Sequence, residues 1–538
     1  MFLDRKIVST SSKDEACAIF PLCRSLVGGE RWKTLLAMSG NSTTAESFVD
    51  MFSSQVENLG LPPFLSQLAK LEWTKHVVER STIEIPKEAT QFKLNPTLEV
   101  LDLSWKLTPF LNGIEDITCV QPSPEKEWAI IWQNPKDRKV LVEPASNEEL
   151  LAIKVLAEDM TPEDAADAGE IPVGAIDRAI LAAVENGLVL APRSRIRRNE
   201  MFLPAGTPEC FITAKTFTLQ WHITNVCDLS CKHCYDRTKR SPLTLEQGKR
   251  VLRDFREFCR ERHVRGNVCF TGGNPFLYPE FFSLYEATSA MGFSTAILGN
   301  PVPRSKIERL VAIQRPGYFQ VSLEGEPSHN DDIRGRGFYL RVIEFLGMLR
   351  DMDVSSAVML TLTKDNIDQV LPLAERLRGH AEYFTFNRLS CVGSGANLSL
   401  PTRERYIAFL HAFVDAAQAN PIIGFKDNLI NIVLHQMGKE LFDGCTGFGC
   451  GAAFNFLAIL PDGEAHACRK FPSPLGNVFH KTITEIYDSE TAERFRRGCR
   501  ACDGCALKAV CGSCLSIASS HGLDMFEQQD PYCFMKST

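Results

Sequence analysis

The spacing of apolar and polar residues divides the chain into stretches with different periods. In the first 90 residues apolar side chains recur at helical spacing, and the segment LPPFLSQLAKLEWTKHVVER places them near one stripe: Phe64, Leu68, Leu71, Val77 and Val78. From about 91 to 200, three strand-like runs, LEVLDLSW, EWAIIWQN and KVLVEPA, precede two helical runs and a strand-like LVLAPRS. The pattern predicts a helical N-terminal domain followed by a domain of three strands, helices and a wing strand.

From about 215 to 435, strand-like and helical runs alternate. The strand candidates are TLQWHIT, VRGNVCFTG, STAILG, YFQVSLEG, SSAVMLTLT and AEYFTFNRL. Six β/α repeats predict a parallel sheet with right-handed crossovers, and therefore an α/β protein with a partial (β/α)6 TIM-like barrel. The active site of such a barrel lies at the carboxyl ends of its strands. A chain of 538 residues is too long for one core, and we expect four domains, at 1–90, 91–200, 201–435 and 436–538.

The composition is that of a globular protein without a membrane segment. Apolar residues make up 44% and charged residues 23% of the chain, and the formal net charge is −7. This acidic balance gives no support for bulk nucleic-acid binding. The N-terminal MFLDRKIVSTSSKDE has no apolar h-region, and no run of about 18 apolar residues occurs. We therefore expect a cytoplasmic protein that binds neither nucleic acid nor a membrane.

Nineteen cysteines are many for such a protein, and most of them are clustered. Three fall between Cys227 and Cys234, and nine fall between Cys445 and Cys533. In a reducing compartment, clusters of this kind indicate metal ligation more readily than disulfides. The scattered cysteines are expected to be packing residues: Cys17, Cys23, Cys119, Cys210, Cys259, Cys269 and Cys391.

The first cysteine cluster, ITNVCDLSCKHCYDR, lies on the loop after the first predicted barrel strand. Its spacing is Cys227-x3-Cys231-x2-Cys234, followed by Tyr235. Thiolates this close suit an iron–sulfur cluster or zinc. Three ligands leave one iron of a 4Fe–4S cluster open, and an open iron can bind a small molecule directly. A three-cysteine zinc knuckle is the alternative.

This segment, at the end of the first strand of a β/α barrel, resembles the signature of the radical S-adenosylmethionine (SAM) superfamily. The resemblance implies that the open iron chelates the amino and carboxylate groups of SAM. It also implies a low-potential electron donor such as flavodoxin or ferredoxin. Electron transfer then cleaves SAM to a 5′-deoxyadenosyl radical, which abstracts a hydrogen atom from the substrate.

Further segments resemble the SAM-binding motifs of that family and occur in its order. TGGNP at 271–275 resembles the GGEP motif, with Asn274 in place of the glutamate that receives the methionine amino group. An amide oxygen can still accept from an ammonium group, without charge assistance. QVSLEG resembles the strand that meets the ribose, and Arg334 matches an arginine that reaches the SAM carboxylate. The resemblance thus implies a SAM site formed by Tyr235, Gly272, Gly273, Asn274, Pro275, Ser322, Glu324 and Arg334.

The second cysteine cluster resembles the SPASM domain, a C-terminal extension of radical SAM enzymes that holds two auxiliary 4Fe–4S clusters. By position, cluster I takes Cys445, Cys450, Cys468 and Cys514, and cluster II takes Cys502, Cys505, Cys511 and Cys533. With the SAM cluster, these ligands make three 4Fe–4S clusters. Two residues separate Cys511 from Cys514 where the family has three, and Cys499 is extra, so one of Cys499 and Cys514 could substitute for the other. A pair of zinc ribbons is the alternative.

The stretch at about 91–200 resembles winged-helix modules that bind leader peptides, such as the leader-peptide chaperone of pyrroloquinoline quinone biosynthesis. Ser146 and Glu149 form a possible capping box in it, and Gly187 ends its second helical run. Such modules bind a leader peptide as an added strand at a sheet edge. A structural or DNA-binding winged helix is the alternative.

These resemblances together favour a maturase that installs an oxidative modification, such as a thioether or carbon–carbon crosslink, on a precursor peptide. A protein-modifying enzyme of the formylglycine-forming sulfatase activator type is a second hypothesis. That family has an aspartate just after the GxxxxC cysteine, whereas Arg469 follows Cys468 here. A non-catalytic iron–sulfur winged-helix regulator is a third.

Overall fold

The computed structural model describes residues 17–38, 45–117 and 119–535 and divides the chain into two compact units, Met1–Arg193 and Ser194–Thr538. The first unit has two apolar cores, and the second unit has a large core of its own. Residues 1–15, in which no signal peptide is predicted, lie outside the described residues. None of the helices formed by the described residues could span a lipid bilayer.

The described part of the first unit begins with helices, as the apolar spacing predicts, among them α1 Pro21–Val27, α2 Gly29–Met38, α3 Ala45–Gln55 and α4 Phe64–Glu79. The stripe on α4 is confirmed for Phe64, Leu68, Leu71 and Val78, all of which are buried, whereas Val77 is half-buried. Glu72 on the same helix is buried and accepts hydrogen bonds from the Leu22 and Cys23 N–H groups at the start of α1. Helices α1 and α4 are therefore joined by a polar contact as well as by apolar packing.

The rest of the first unit contains a three-stranded sheet, a two-stranded ribbon and four helices: β1 Lys93–Leu94, β2 Glu99–Leu103, α5 Thr108–Leu111, β3 Glu127–Gln133, β4 Val140–Pro144, α6 Asn147–Ala157, α7 Pro162–Gly169, α8 Val173–Glu185 and β5 Val189–Leu190. The sheet has the antiparallel order β2-β3-β4, and β1 pairs with β5. The predicted capping box is present, since Ser146 Oγ accepts from the Glu149 N–H and Glu149 accepts from the Ser146 N–H.

Strand β3 carries an apolar core on each of its faces. Ala129 and Ile131 pack with α1–α4, whereas Ile130 and Trp132 pack with α6–α8. Because successive strand residues point to opposite faces, one strand joins both cores. The helices before residue 90 and the sheet that follows therefore belong to one compact unit.

The second unit contains the predicted barrel. Its strands are β6 Thr216–Thr224, β7 Arg265–Gly272, β8 Ser294–Leu298, β9 Phe319–Ser322, β10 Ser356–Leu362 and β11 Tyr383–Arg388. They are parallel neighbours in chain order. The helices between them are α9 Leu245–Arg262, α10 Phe281–Ala290, α11 Arg304–Ile313, α12 Pro327–Arg334, α13 Phe338–Asp351 and α14 Val370–Leu377. The expected partial (β/α)6 barrel is confirmed.

The cysteine-rich C-terminal region continues the barrel sheet. Its strands are β12 Phe456–Ile459, β13 Glu464–His466 and β14 Pro474–Asn477. Two helices precede it, α15 Arg403–Ala419 and α16 Ile430–Gln436. Its own helices are α17 Ile483–Tyr487, α18 Glu490–Arg497 and α19 Leu515–Ser520. Strand β12 pairs in parallel with β6, and β13 and β14 follow in antiparallel order. One nine-stranded sheet therefore serves both regions.

The strand β6 shows how the barrel separates its helix-facing side from its interior. Phe217, Leu219 and Trp221 are fully buried in the main core beneath the helices. Gln220 and His222 alternate with them and so face the barrel interior. The interior thus presents polar side chains to whatever enters the barrel.

A buried ion-pair network ties the last barrel strand to the C-terminal region. Arg388 is 1% exposed; its Nε donates to Asp427 at 2.7 Å, and its two terminal nitrogens donate to both oxygens of Asp530 at 2.9 and 2.6 Å.

We expect Arg388→Met to lower the free energy of unfolding by about 3–5 kcal/mol, because it leaves two buried carboxylates unpaired. Urea denaturation measures this. The control Arg315→Met, which removes an exposed ion pair, is expected to change it by less than about 1 kcal/mol, and equal effects of the two variants would contradict the expectation.

Candidate functional site

The three-cysteine loop begins directly after β6 at the carboxyl edge of the sheet, as predicted. Asn300 Nδ2 lies 3.5 Å from Cys227 Sγ, and Arg334 Nη1 lies 3.8 Å from Cys231 Sγ. Burial raises the pKa of the Cys227 and Cys231 thiols, and each of these thiols also feels the charge of Cys234. Three neighbouring thiols with cationic and amide donors around them fit an iron–sulfur cluster, whose sulfur atoms accept such donors. Among the described residues, no three His, Cys, Asp or Glu side chains converge tightly enough for a single metal ion.

Two glycines let the TGGNP segment lie directly against this loop. The Gly273 N–H donates to Thr224 O, and the Asn274 N–H donates to Val226 O, both at 2.8 Å. A Cβ atom on Gly272 would lie 2.1 Å from Thr224 O, and one on Gly273 would lie 2.2 Å from Val226 O. Gly272 also has a φ of +129°. Only glycine therefore permits this contact, which fixes the start of the cysteine loop.

The Asn274 side chain is held by the protein, and it brings a carboxylate that the sequence reasoning missed. Its Oδ1 accepts from the Phe276 N–H at 3.3 Å, and its Nδ2 donates to Asp228 at 3.1 Å. Asn300 donates to the same Asp228 oxygen at 2.7 Å. Asp228, the residue after Cys227, thus places a negative charge where the usual glutamate is replaced. In the sequence, only the position of Asp228 between two cysteines of the loop could have indicated a role at this site.

Glu324 and Arg334 form a buried pair. Arg334 donates through Nε at 2.8 Å and Nη2 at 2.5 Å to one Glu324 oxygen, and the Thr361 N–H donates to the other at 2.8 Å. Burial alone raises the pKa of Glu324, but His233, Arg334 and the Thr361 N–H bring it below the usual value. Glu324 is 1% exposed. In this structure its carboxylate is therefore held by protein donors, and its predicted contact with the SAM ribose stays a prediction.

The remaining predicted SAM contacts lie around the same edge. Tyr235 Oη lies 3.2 Å from His222 Nε2, and burial raises the pKa of Tyr235 to about 12. Burial, followed by the charge of Arg469, lowers the pKa of His222 to about 3, so this imidazole is neutral at pH 7. Ser322 ends β9, and Pro275 is buried at the start of a short 3-10 turn. The structure thus gathers these residues at one edge of the barrel.

The cysteines assigned to auxiliary cluster I lie together. Burial, together with neighbouring thiolates of the same set, raises the pKa of Cys450 and Cys468 to about 11 and that of Cys514 to about 12. The charge of Cys445 raises the pKa of both Cys450 and Cys468. Despite the shortened spacing after Cys511, Cys514 therefore lies beside Cys450 and Cys468.

Cys499 belongs spatially with the second auxiliary set. A hydrogen bond with Cys502 lowers the pKa of Cys499, while the same bond, burial and the charges of Cys511 and Cys505 raise the pKa of Cys502. The charge of Cys533 raises the pKa of Cys511, and the charge of Cys505 raises the pKa of Cys533. The structure thus places Cys499 next to Cys502 of the second group.

The SAM loop and the first auxiliary set lie at opposite edges of the sheet. Cys450 precedes β12, which runs parallel to β6, and Cys468 follows β13, which runs back antiparallel to β12. Both cysteines therefore lie towards the amino edge, whereas Cys227 lies beyond the carboxyl edge. Strand β6 covers about 20 Å from Thr218, which pairs with Phe456, to Thr224.

Comparisons with known proteins bear on the same segments. The chain matches the model of the radical SAM superfamily over residues 221–377 and that of the SPASM iron–sulfur cluster-binding domain over residues 450–515. It is 25% identical over 311 residues to the antilisterial bacteriocin subtilosin biosynthesis protein AlbA of Bacillus subtilis. This match covers 55% of this chain and 66% of AlbA, which is just under two thirds of that relative's length. It is also 25% identical over 353 residues to an AdoMet-dependent heme synthase of Methanosarcina barkeri, covering 59% of this chain and 96% of that protein.

Among solved structures, Streptococcus suis SuiB bound to precursor peptide SuiA superposes on the chain with a TM-score of 0.50 at 15% identity, covering 83% of this chain and 100% of that one. This likeness concerns the fold. Both family models, in contrast, fall on segments in which the structure gathers cysteines. Residues 221–377 therefore form a radical SAM domain, and residues 450–515 form a SPASM iron–sulfur cluster-binding domain.

Proposed function

We propose that this enzyme is a maturase that installs an oxidative crosslink on a ribosomally made precursor peptide. The observation that carries the proposal is the first unit, a separately folded body whose three-stranded sheet has two edge strands, β2 and β4. An extended peptide can add to such an edge through main-chain hydrogen bonds. Two relatives support the assignment, since AlbA is named for bacteriocin biosynthesis and SuiB was solved with a precursor peptide.

Each part of the second unit has a role in this proposal. When bound to a 4Fe–4S cluster, SAM supplies a 5′-deoxyadenosyl radical able to abstract a hydrogen atom. The three-cysteine loop would hold that cluster, and Asp228 and the TGGNP backbone would hold the amino end of SAM. The barrel interior orients the substrate and excludes water. The two auxiliary sets would hold two further clusters, for three in total, and a low-potential donor such as flavodoxin or ferredoxin would supply electrons.

Deleting residues 1–193 tests the role of the first unit. All predicted cluster and SAM-site residues lie in the second unit, so we expect the truncated enzyme to cleave SAM. It should process little full-length precursor at low concentration, because the first unit contributes effective concentration and no chemistry. Precursor turnover is measured by mass spectrometry with both enzymes, with a leaderless core peptide as the matched control.

Supplying residues 1–193 as a separate protein is expected to restore part of the turnover. Its binding to the leader should depend weakly on salt, since strand addition involves main-chain groups, whereas nucleic-acid binding weakens steeply as salt rises. Equal precursor turnover by the full-length and truncated enzymes at low precursor concentration would show that the first unit does not capture the leader.

A tetrapyrrole-modifying enzyme is the second candidate. Three AdoMet-dependent heme synthases match the chain at 24–25% identity over 87–96% of their own length. Each match covers only 59–62% of this chain. The peptide proposal gives a role to the first unit, and on that ground we prefer it.

A further inference from the structure

A cavity of about 290 Å³ lies in the second unit, between the segment that precedes β6 and the cysteine-rich region. One of its walls is the segment 197–203, which forms a 3-10 turn at Glu200–Phe202. The end of α18 and the stretch from Lys508 to Gly512 form the facing walls. Among the described residues, none that is assigned to the SAM site borders this cavity. It is therefore a separate candidate site.

Cations dominate the lining of the cavity. Of the residues that the structure describes along it, one is acidic, Glu493, and five are cationic: Arg197, Arg198, Arg496, Arg497 and Lys508. Two of these cations have carboxylates of their own. Arg496 lies 2.8 Å from Glu493, and Arg197 pairs with Glu200 and Glu209. The balance of charge at the cavity therefore depends on the other three.

Arg198, Arg497 and Lys508 have one carboxylate between them among the described residues. Asp503 forms an ion pair with Lys508 and lies 3.8 Å from Arg497. Arg198 donates to three main-chain carbonyl oxygens at 2.7 to 3.0 Å, and its Nε is buried without a hydrogen-bond partner in the described part of the chain. Three cations and one carboxylate leave two positive charges without a counter-charge. Such a group is unfavourable unless an anion meets it.

Aromatic rings hold these three cations in place. The Arg497 guanidinium lies 4.5 Å and the Lys508 ammonium 5.7 Å from the centre of the Phe202 ring. The Arg198 guanidinium lies 4.3 Å from the centre of the Phe454 ring. A cation is attracted to the face of such a ring. The charges are therefore positioned before a ligand arrives, which lowers the cost of binding.

The charge and the size of the cavity indicate the class of ligand. A phosphate monoester carries about two negative charges at pH 7, which match the two positive charges, whereas a carboxylate carries one. Its oxygens can accept from an ammonium and from the planar fork of a guanidinium together. A volume of about 290 Å³ is near the lower end of small-molecule pockets, so there is room beyond the phosphate. Leu203 and Phe495 add apolar surface to that room.

We propose that this cavity binds a small phosphate ester. Arg497 and Lys508 hold its phosphate, with the charge of Arg198 nearby, and its apolar part packs on Leu203. The ligand thereby links the segment 197–203 to α18 and to the cysteine-rich stretch. The proposal does not depend on the peptide maturase assignment, because the cavity lies outside the SAM site.

The first test measures binding to the reconstituted full-length enzyme by isothermal titration calorimetry. Phenyl phosphate is the probe, and benzoate and phenol are the comparators. We expect phenyl phosphate to bind more tightly than benzoate, and phenol to show no binding. Arg497→Gln should weaken binding of phenyl phosphate by about tenfold or more, and Arg497→Lys should weaken it less, because lysine keeps the charge and loses the fork.

Arg500→Gln is the matched control, because this exposed arginine lies three residues further along and pairs with Glu527. It is expected to bind phenyl phosphate like the wild type. Unchanged binding in Arg497→Gln, an equal loss in Arg500→Gln, or benzoate binding as tight as that of phenyl phosphate would each overturn the proposal.

The place of the apolar part is tested with Leu203→Ser. This variant should weaken binding of phenyl phosphate severalfold and leave binding of inorganic phosphate unchanged, because inorganic phosphate has no ring to pack. Equal weakening of both probes would refute the packing of the ligand on Leu203.

Iron content separates this role from that of a counter-ion of the auxiliary clusters. The distinction is needed because Cys450 borders the cavity and Lys508 lies between Cys505 and Cys511 in the chain. The proposal expects full iron content and unchanged cluster absorption in Arg497→Gln. If this variant loses iron together with binding of phenyl phosphate, Arg497 serves a cluster and the proposal fails.

Discussion

Replacing Cys227, Cys231 and Cys234 together by alanine is expected to abolish SAM cleavage and to remove about 4 of about 12 iron atoms per chain. These thiols form one loop at the carboxyl edge of the barrel, with Asn300 and Arg334 donating towards two of them. The auxiliary cysteines lie elsewhere on the sheet, so their iron should stay. Iron is measured in anaerobically reconstituted protein, and SAM cleavage by the formation of 5′-deoxyadenosine.

The exposed Cys210 offers a matched control, because it lies in the same unit outside both clusters. Cys210→Ala is expected to keep full iron and full SAM cleavage. Stoichiometric zinc without charge-transfer absorption in the wild-type protein would replace the iron–sulfur assignment with zinc sites.

Substituting single auxiliary cysteines is expected to separate SAM cleavage from product formation. Cys468→Ala and Cys505→Ala should retain some SAM cleavage, because Cys468 lies at the opposite edge of the sheet from the SAM loop and Cys505 belongs to the other auxiliary set. They should form almost no modified product if the auxiliary clusters take an electron from the substrate or hold the substrate in place. Both products are measured in the same reaction by mass spectrometry.

Cys391→Ala is the control for this pair, since it removes a half-buried thiol outside both auxiliary sets. Full product formation by Cys468→Ala or Cys505→Ala would show that the auxiliary clusters serve only the fold.

The sequence was sufficient wherever the chemistry depends on local spacing. The three-cysteine loop, the glycines at 272 and 273 and the six strand–helix repeats are each encoded within short segments. The order of parallel strands then follows from chain order, because each crossover returns to the neighbouring position.

Contacts between segments that are distant in the chain could not be predicted from local residue spacing. Asp228 meets Asn274 and Asn300 across three different loops, and Arg334 turns its donors to Glu324 as well as to Cys231. Such pairings arise from tertiary packing, which the spacing of residues does not record.

The first unit shows the same limit at a larger scale. The spacing predicted its helices and its three strands. It gave no sign that alternate residues of β3 would build two cores and so join the helices before residue 90 to the sheet.

The most direct measurement of the central claim is one anaerobic reaction of the full-length enzyme. It contains SAM, a low-potential reductant and a short precursor peptide with its leader segment. We expect 5′-deoxyadenosine and a peptide that has lost two hydrogen atoms for each crosslink formed, both absent in the Cys227→Ala variant. Formation of 5′-deoxyadenosine with an unaltered peptide mass would contradict the assignment as a peptide maturase.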